Sequence, residues 1–132
     1  MPLHAALITL LTILVLLIAA IAVGRARGKF GIHAPATTGN ADFERVFRAQ
    51  MNSQEATLMF LPTLWLAAQY SPFPPMVVAA LGYLWVLGRL WYLLGYWQAA
   101  GKREGGFVVG FVTWLLLFLV ALIGVGKQWL AL

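Results

Sequence analysis

A chain of 132 residues that is 62% hydrophobic and only 10% charged cannot clothe a water-soluble globule, since soluble domains are about 45–50% apolar and about 25% charged. The composition predicts a membrane protein. The absence of cysteine excludes disulfide frameworks, thiolate metal sites and cysteine nucleophiles, and the net charge of +5 must be read by its location rather than its sum.

Four apolar segments follow one another, each at least the ~20 residues that a helix needs to cross hydrocarbon. Because no water satisfies the backbone there, each is expected to be helical. Leu3 to Val23 is almost purely aliphatic. Ala20-Ile21-Ala22 resembles a signal-peptide cleavage site, but Arg25, Arg27 and Lys29 follow the apolar run instead of preceding it, which favours an uncleaved span. The second segment, Phe43 to Tyr70, is polar in its first half, "FERVFRAQMNSQE". The third, Pro74 to Ala100, opens on two prolines suited to a first helical turn. The fourth runs from Gly106 to Leu130. No repeat or separate soluble unit interrupts them, so residues 1–132 are expected to form one all-α, four-helix transmembrane domain.

The loops set an expected orientation. Arg25, Arg27 and Lys29 follow the first segment, Lys102 and Arg103 follow the third, and the intervening "QYSPFPP" carries no charge. The positive-inside rule then places loops 24–42 and 101–105 in the cytoplasm and both termini on the opposite side.

Charged groups at membrane depth are costly and usually face a protein interior or a water-filled cavity. Arg45, Arg48, Asn52 and Glu55 are spaced three, four and three apart, which puts them on one helical face. Gln50 and Gln54 lie off that face. Arg89, Tyr92 and Tyr96 repeat the spacing on the third segment, with Arg103 beyond them. Glu55 is about 15 Å deeper than Arg45, and Arg89 about 21 Å from Arg103, at 1.5 Å per residue. In antiparallel neighbours Glu55 and Arg89 would share a depth, either as a buried ion pair fixing helix register or as the floor of a polar cleft. Asn52 would lie near Tyr92, and Arg48 near Tyr96.

Several guanidiniums suit carboxylates or phosphates, one deep carboxylate suits an ammonium group, and an adjoining lipid face admits an apolar second molecule. An anionic peptide-like ligand with carboxylates and an amine, such as glutathione, fits this set. His4 and His33 lack metal-ligand spacing, and Met51, Met59 and Met76 read as packing. Neither a metal nor a nucleic acid is expected as partner. Gly82 and Gly88 read as points of close helix contact.

"FERVFRAQMNSQE" with "FLPTLWLA", and "GRLWYLLGYWQAAGKR" after them, resemble the membrane-associated proteins in eicosanoid and glutathione metabolism, the MAPEG family, in its leukotriene C4 synthase and microsomal glutathione S-transferase subgroup. The resemblance runs from about Thr37 to Arg103. It implies a homotrimer of four-helix subunits, with glutathione as co-substrate in a cleft between subunits and a lipophilic electrophile arriving from membrane lipid. It also implies that Arg48, Asn52 and Glu55 contact glutathione from one subunit, and Arg27, Gln50, Tyr92, Tyr96 and Arg103 from its neighbour. Arg103 and Arg27 are the implied catalytic residues, with Arg103 first for stabilising the thiolate. The activity implied is glutathione conjugation or lipid-hydroperoxide reduction in detoxification.

Two positions depart from the pattern. The leukotriene C4 synthase branch has two adjacent arginines at the end of the first span, the second activating the thiol, and here that second position is Gly28. Ala56 stands where that branch has a tyrosine contact. The departures keep a noncatalytic lipid-binding accessory protein of the same family open, and Glu55 as a lone deep carboxylate keeps a small four-span transporter open.

Overall fold

The computed structural model describes residues 2–132, which form four α-helices: α1 (Leu3–Phe30), α2 (Ala41–Tyr70), α3 (Pro75–Gln98) and α4 (Glu104–Leu130). A short 3₁₀ turn, Ala100–Arg103, joins α3 to α4. Local chemistry explains the ends. The Asn40 side chain accepts a hydrogen bond from the Phe43 amide at 3.0 Å, and Asp42 and Glu44 occupy the first turn of α2, where carboxylates complement the helix dipole. Pro75 opens α3, a position that needs no amide proton.

Helix α1 runs seven residues past the expected end. Arginine and lysine are good helix formers, so Arg25, Arg27 and Lys29 lie within α1, not in the following loop. Gly31 stops the helix with a left-handed φ of 67°, a conformation cheap only without a Cβ. Similarly, Arg103 belongs to the 3₁₀ turn, and α4 starts two residues before the expected Gly106.

Helices α2 and α3 touch each other, and each packs against both α1 and α4. Phe60 and Trp85 stack at 3.7 Å between ring centroids, with Leu64, Leu93 and Leu117 buried alongside. The outer faces of α1 and α4 display Leu10, Leu17, Phe118 and Leu122, a face that hydrocarbon tolerates and water does not. Three of the four segments, Leu3–Phe30, Pro75–Gln98 and Ala100–Leu130, are long and apolar enough to cross a bilayer. The polar first half of α2 keeps it out of that set, although four such spans were expected from the chain. At 30 residues it is about 45 Å long, enough to accompany the other three across.

Glycines let α3 and α4 meet backbone to backbone. A Cβ on Gly106 would fall 2.6 Å from the Tyr92 Cα, and one on Gly88 would fall 2.8 Å from a Val109 methyl carbon. The close-contact reading of Gly88 holds, and Gly82 behaves likewise against Ile8 of α1.

Candidate functional site

Helix α2 presents Arg48, Asn52 and Glu55 on an exposed face of the subunit, while Ala49, Ser53 and Phe60 turn inward. Arg45 leaves this group, because it pairs with Asp42 one turn earlier. Arg48 makes no side-chain hydrogen bond or ion pair among the described residues, so its guanidinium is free to meet an anion.

On α3, Arg89, Tyr92 and Tyr96 are buried. Tyr92 and Tyr96 meet edge to face at 5.6 Å between centroids. The Arg89 guanidinium lies 4.2 Å above the Tyr92 ring and 5.7 Å from that of Trp85, with one amino group donating to Ser53 Oγ at 3.4 Å. Its Nε is buried without a partner among the described residues. Such a guanidinium is held by aromatic faces more than by hydrogen bonds.

Of the two arrangements open to Glu55 and Arg89, the ion pair is not formed among the described residues. Among the described residues the ion pair within 4 Å is Arg45–Asp42. Arg89 turns inward to Ser53 and the aromatic faces, while Glu55 stays exposed on α2. Both instead line one open cleft of about 220 Å³ between α2, α3 and α4, which also includes Asn52 and Tyr92. The depth matching of Asn52 with Tyr92 therefore places them on one surface. Arg48, Gln50, Tyr96, Arg27 and Arg103 lie outside that cleft.

Arg103 sits beside it. Its guanidinium lies 4.9 Å above the Tyr96 ring, and it reaches that position because Lys102 crosses directly over Gly95, where an added Cβ would lie 2.8 Å from the Lys102 carbonyl carbon. Arg27 is committed elsewhere within the subunit. It donates to the carbonyls of Ile32 and Ala36 at 3.3 and 2.8 Å and lies over the Phe43 ring at 5.1 Å, fastening the α1–α2 loop. Gly28 is exposed with open space around it.

Ser53 escaped the sequence reading. It lies between the two polar residues Asn52 and Glu55, but the inward face it occupies carries no charge to attract notice. Trp114 also escaped. Its Nε1 donates to Thr63 Oγ1 at 3.2 Å and to the Met59 carbonyl at 3.3 Å, fixing an aromatic wall of the cleft with Phe107 and Phe111. Its spacing from Phe107 and Phe111 was a visible signal, since residues three, four and seven apart share a helical face. His4 finds a partner across the bundle, Tyr83 OH at 2.9 Å. No cluster of metal-ligating side chains occurs among the described residues.

Residues 5–123 match the MAPEG family. An uncharacterized protein from Synechocystis sp. is 49% identical over 120 residues, 91% of this chain and 86% of that one. Human microsomal glutathione S-transferase 2 is 40% identical over 111 residues, 84% of this chain and 74% of that one. Leukotriene C4 synthase from Cavia porcellus is 38% identical over 118 residues, 89% of this chain and 77% of that one.

Proposed function

The chain belongs to the MAPEG family as a multi-pass integral membrane protein, and on that premise we propose that it is a membrane glutathione transferase acting on lipophilic electrophiles. The observation that carries the reading is the pairing of a free cationic and acidic face, Arg48, Asn52 and Glu55, with a cleft walled by Tyr92, Phe111 and Trp114. One side suits a charged tripeptide, the other a lipid-borne partner.

In this reading Arg48 grips a glutathione carboxylate, Glu55 holds its amine, and Asn52, Gln50, Tyr92 and Tyr96 supply hydrogen bonds. Arg103 stabilises the thiolate. A free thiol has a pKa near ~8.5 and is mostly protonated at neutral pH, and an adjacent guanidinium favours the nucleophilic anion. The sulfur then bonds to the electrophilic carbon, while the displaced or added electron pair takes up a proton from water. With an organic hydroperoxide, two glutathione molecules supply the two electrons, giving a disulfide, an alcohol and water.

The exposed face of α2 also supports assembly. Arg48, Asn52 and Glu55 would be poorly solvated against acyl chains, and a neighbouring subunit that covers them would complete the pocket. We therefore read the protein as a homotrimer with glutathione between subunits, the 24–42 and 101–105 segments cytoplasmic and both termini opposite. Arg27 contributes to glutathione only if its loop hydrogen bonds are exchanged.

The test is glutathione-dependent conjugation of a lipophilic electrophile by purified protein, compared with Arg103→Ala. Full activity in that variant would dismiss the role given to Arg103. A second reading, a noncatalytic lipid-binding accessory protein, is favoured by Gly28 at the activating-arginine position. Calorimetry separates the two, since no binding at millimolar glutathione supports the accessory reading. The transporter reading predicts proton-coupled uptake into liposomes that stops in Glu55→Gln.

A further inference from the structure

A second cavity is larger than the cleft between α2, α3 and α4. It has a volume of about 480 Å³ and lies between α1, α2 and α3 at the end of the bundle opposite Arg103. Ala79 in its lining precedes Arg89 by ten residues, which is about 15 Å along α3. The two sites are therefore separate, and this inference does not depend on the reading of the first.

Small side chains make the space. Ala5, Ala68 and Ala79 face it from three different helices. The floor closes where Ile8 packs over Gly82, so tightly that a Cβ there would lie 2.6 Å from Ile8 Cδ1. Cross-helix hydrogen bonds brace the walls. Trp65 Nε1 donates to Thr9 Oγ1 at 2.9 Å, and His4 Nδ1 lies 2.9 Å from Tyr83 OH.

The lining is graded from end to end. Ile8, Leu64 and Val78 make the deep part, whereas His4, Gln69 and Ser71 stand near the mouth, at the ends of α1 and α2. From Leu64 to Ser71 the wall is seven residues long, or about 10 Å. This gradient runs the same way as the bilayer's own, from polar boundary to hydrocarbon. Among the described residues, no lysine, arginine, aspartate or glutamate lines the cavity. The volume falls within the roughly 300–1,000 Å³ of small-molecule sites, which are mainly apolar with a few placed polar groups.

We propose that this cavity binds a neutral single-chain amphiphile, its hydrogen-bonding head at His4 and Gln69 and the upper part of its chain against Ile8 and Leu64. Among the described lining residues no charged side chain pairs with a carboxylate or phosphate, so such a head would lose hydration without compensation and a neutral head is favoured. A depth of about 10 Å takes in only the upper part of a chain.

The probe is a photoreactive monoacylglycerol carrying a diazirine in its chain, added to the full-length protein in phosphatidylcholine liposomes. Saturable labelling is expected on peptides containing Ile8 and Leu64, competed by unlabelled monoacylglycerol. Ala68→Trp, which fills the cavity from its half-buried side, is expected to reduce it at least tenfold, and Ala79→Leu serves as a second filling variant. Both should retain the wild-type helical circular dichroism and thermal midpoint in detergent, which report that the bundle has folded. Labelling spread evenly over exposed α4 positions such as Leu119 and Leu122, or unchanged in both filled variants, overturns the site. Equal saturable labelling by a photoreactive fatty acid overturns the neutral-head assignment.

Discussion

Replacing Gly95 by alanine tests how Arg103 is positioned without touching any proposed ligand contact. The Lys102 backbone rides over Gly95, and an alanine methyl would lie 2.8 Å from its carbonyl carbon, where ordinary contact begins at 3.4 Å. Hydrogen bonds from the Ala99 amide to the Gly95 carbonyl, at 3.1 Å, and from the Lys102 amide to the Ala99 carbonyl, at 3.0 Å, tie this turn together. The turn must therefore move as a unit, by about 1 Å, a misplacement that can lower a rate about 100-fold. Arg103 would leave its place 4.9 Å above Tyr96. The thiol of bound glutathione would then revert toward ~8.5, its value without a cation. The sign follows. Wild-type activity should reach its plateau at lower pH than the variant's, and the deficit should shrink as pH rises. The assay is kcat/KM for a lipophilic electrophile across pH, with ultraviolet absorbance of the bound thiolate as the direct readout. Glutathione affinity should fall less than kcat/KM, because Arg48 and Glu55, the contacts proposed for its carboxylate and amine, lie on α2. A variant with normal activity and an unmoved pH profile would show that the Gly95 contact does not set Arg103.

Gly28→Arg is expected to be tolerated, since open space surrounds that position, and to raise kcat/KM about tenfold, equivalent to about 1.4 kcal/mol of barrier; steady-state kinetics decide. Arg89→Met keeps the length of the buried side chain but removes its contact with Tyr92, worth up to about 2 kcal/mol when desolvated. The KM for glutathione should rise by up to about thirtyfold, and an unchanged KM would release Tyr92 from dependence on Arg89. Gly124→Leu is a structural control. A Cβ there would lie 2.6 Å from the Tyr70 carbonyl carbon, so the thermal midpoint in detergent should fall, reflecting an overpacking cost of about 1–3 kcal/mol. Activity per folded protein should survive, because the contact joins α2 and α4 at the end away from Arg103.

Periodicity and charge made much of this molecule legible in its residues. The three helices apolar enough to cross a bilayer and the membrane setting follow from hydropathy, and the inward burial of Arg89, Tyr92 and Tyr96 agrees with their shared helical face. Depth matching correctly brought Asn52, Glu55, Arg89 and Tyr92 to one cleft. It left the ion pair undecided, because sharing a depth does not fix which way a long side chain turns. Ser53 and the rings of Trp85 and Tyr92 offered Arg89 a nearer home. The α1 boundary was misread because basic residues mark the edge of hydrocarbon, whereas the helix itself ends only where Gly31 takes a positive φ. Backbone approach at Gly95 and Gly106 was invisible, since a glycine announces that contact is possible but not with what.

The two arginines that the resemblance grouped as catalytic have different surroundings, and the difference bears on Gly28. Arg27 has carbonyl partners in Ile32 and Ala36 and an aromatic face in Phe43. Turning it toward a thiol would forfeit those contacts, each net hydrogen bond being worth about 1 kcal/mol and more when charged. Among the described residues Arg103 has only the face of Tyr96, so its remaining donors are free there and its motion is limited mainly by the turn that carries it. An arginine installed at position 28 would lack Arg27's loop partners and be equally free. If thiolate stabilisation depends on an uncommitted guanidinium, Gly28→Arg should partly rescue Arg103→Ala, whereas Arg27 should not have compensated for that loss. A double variant no more active than Arg103→Ala alone would mean that position 28 cannot reach the sulfur, and that Arg103's place beside Tyr96 is the only one from which this fold can activate it.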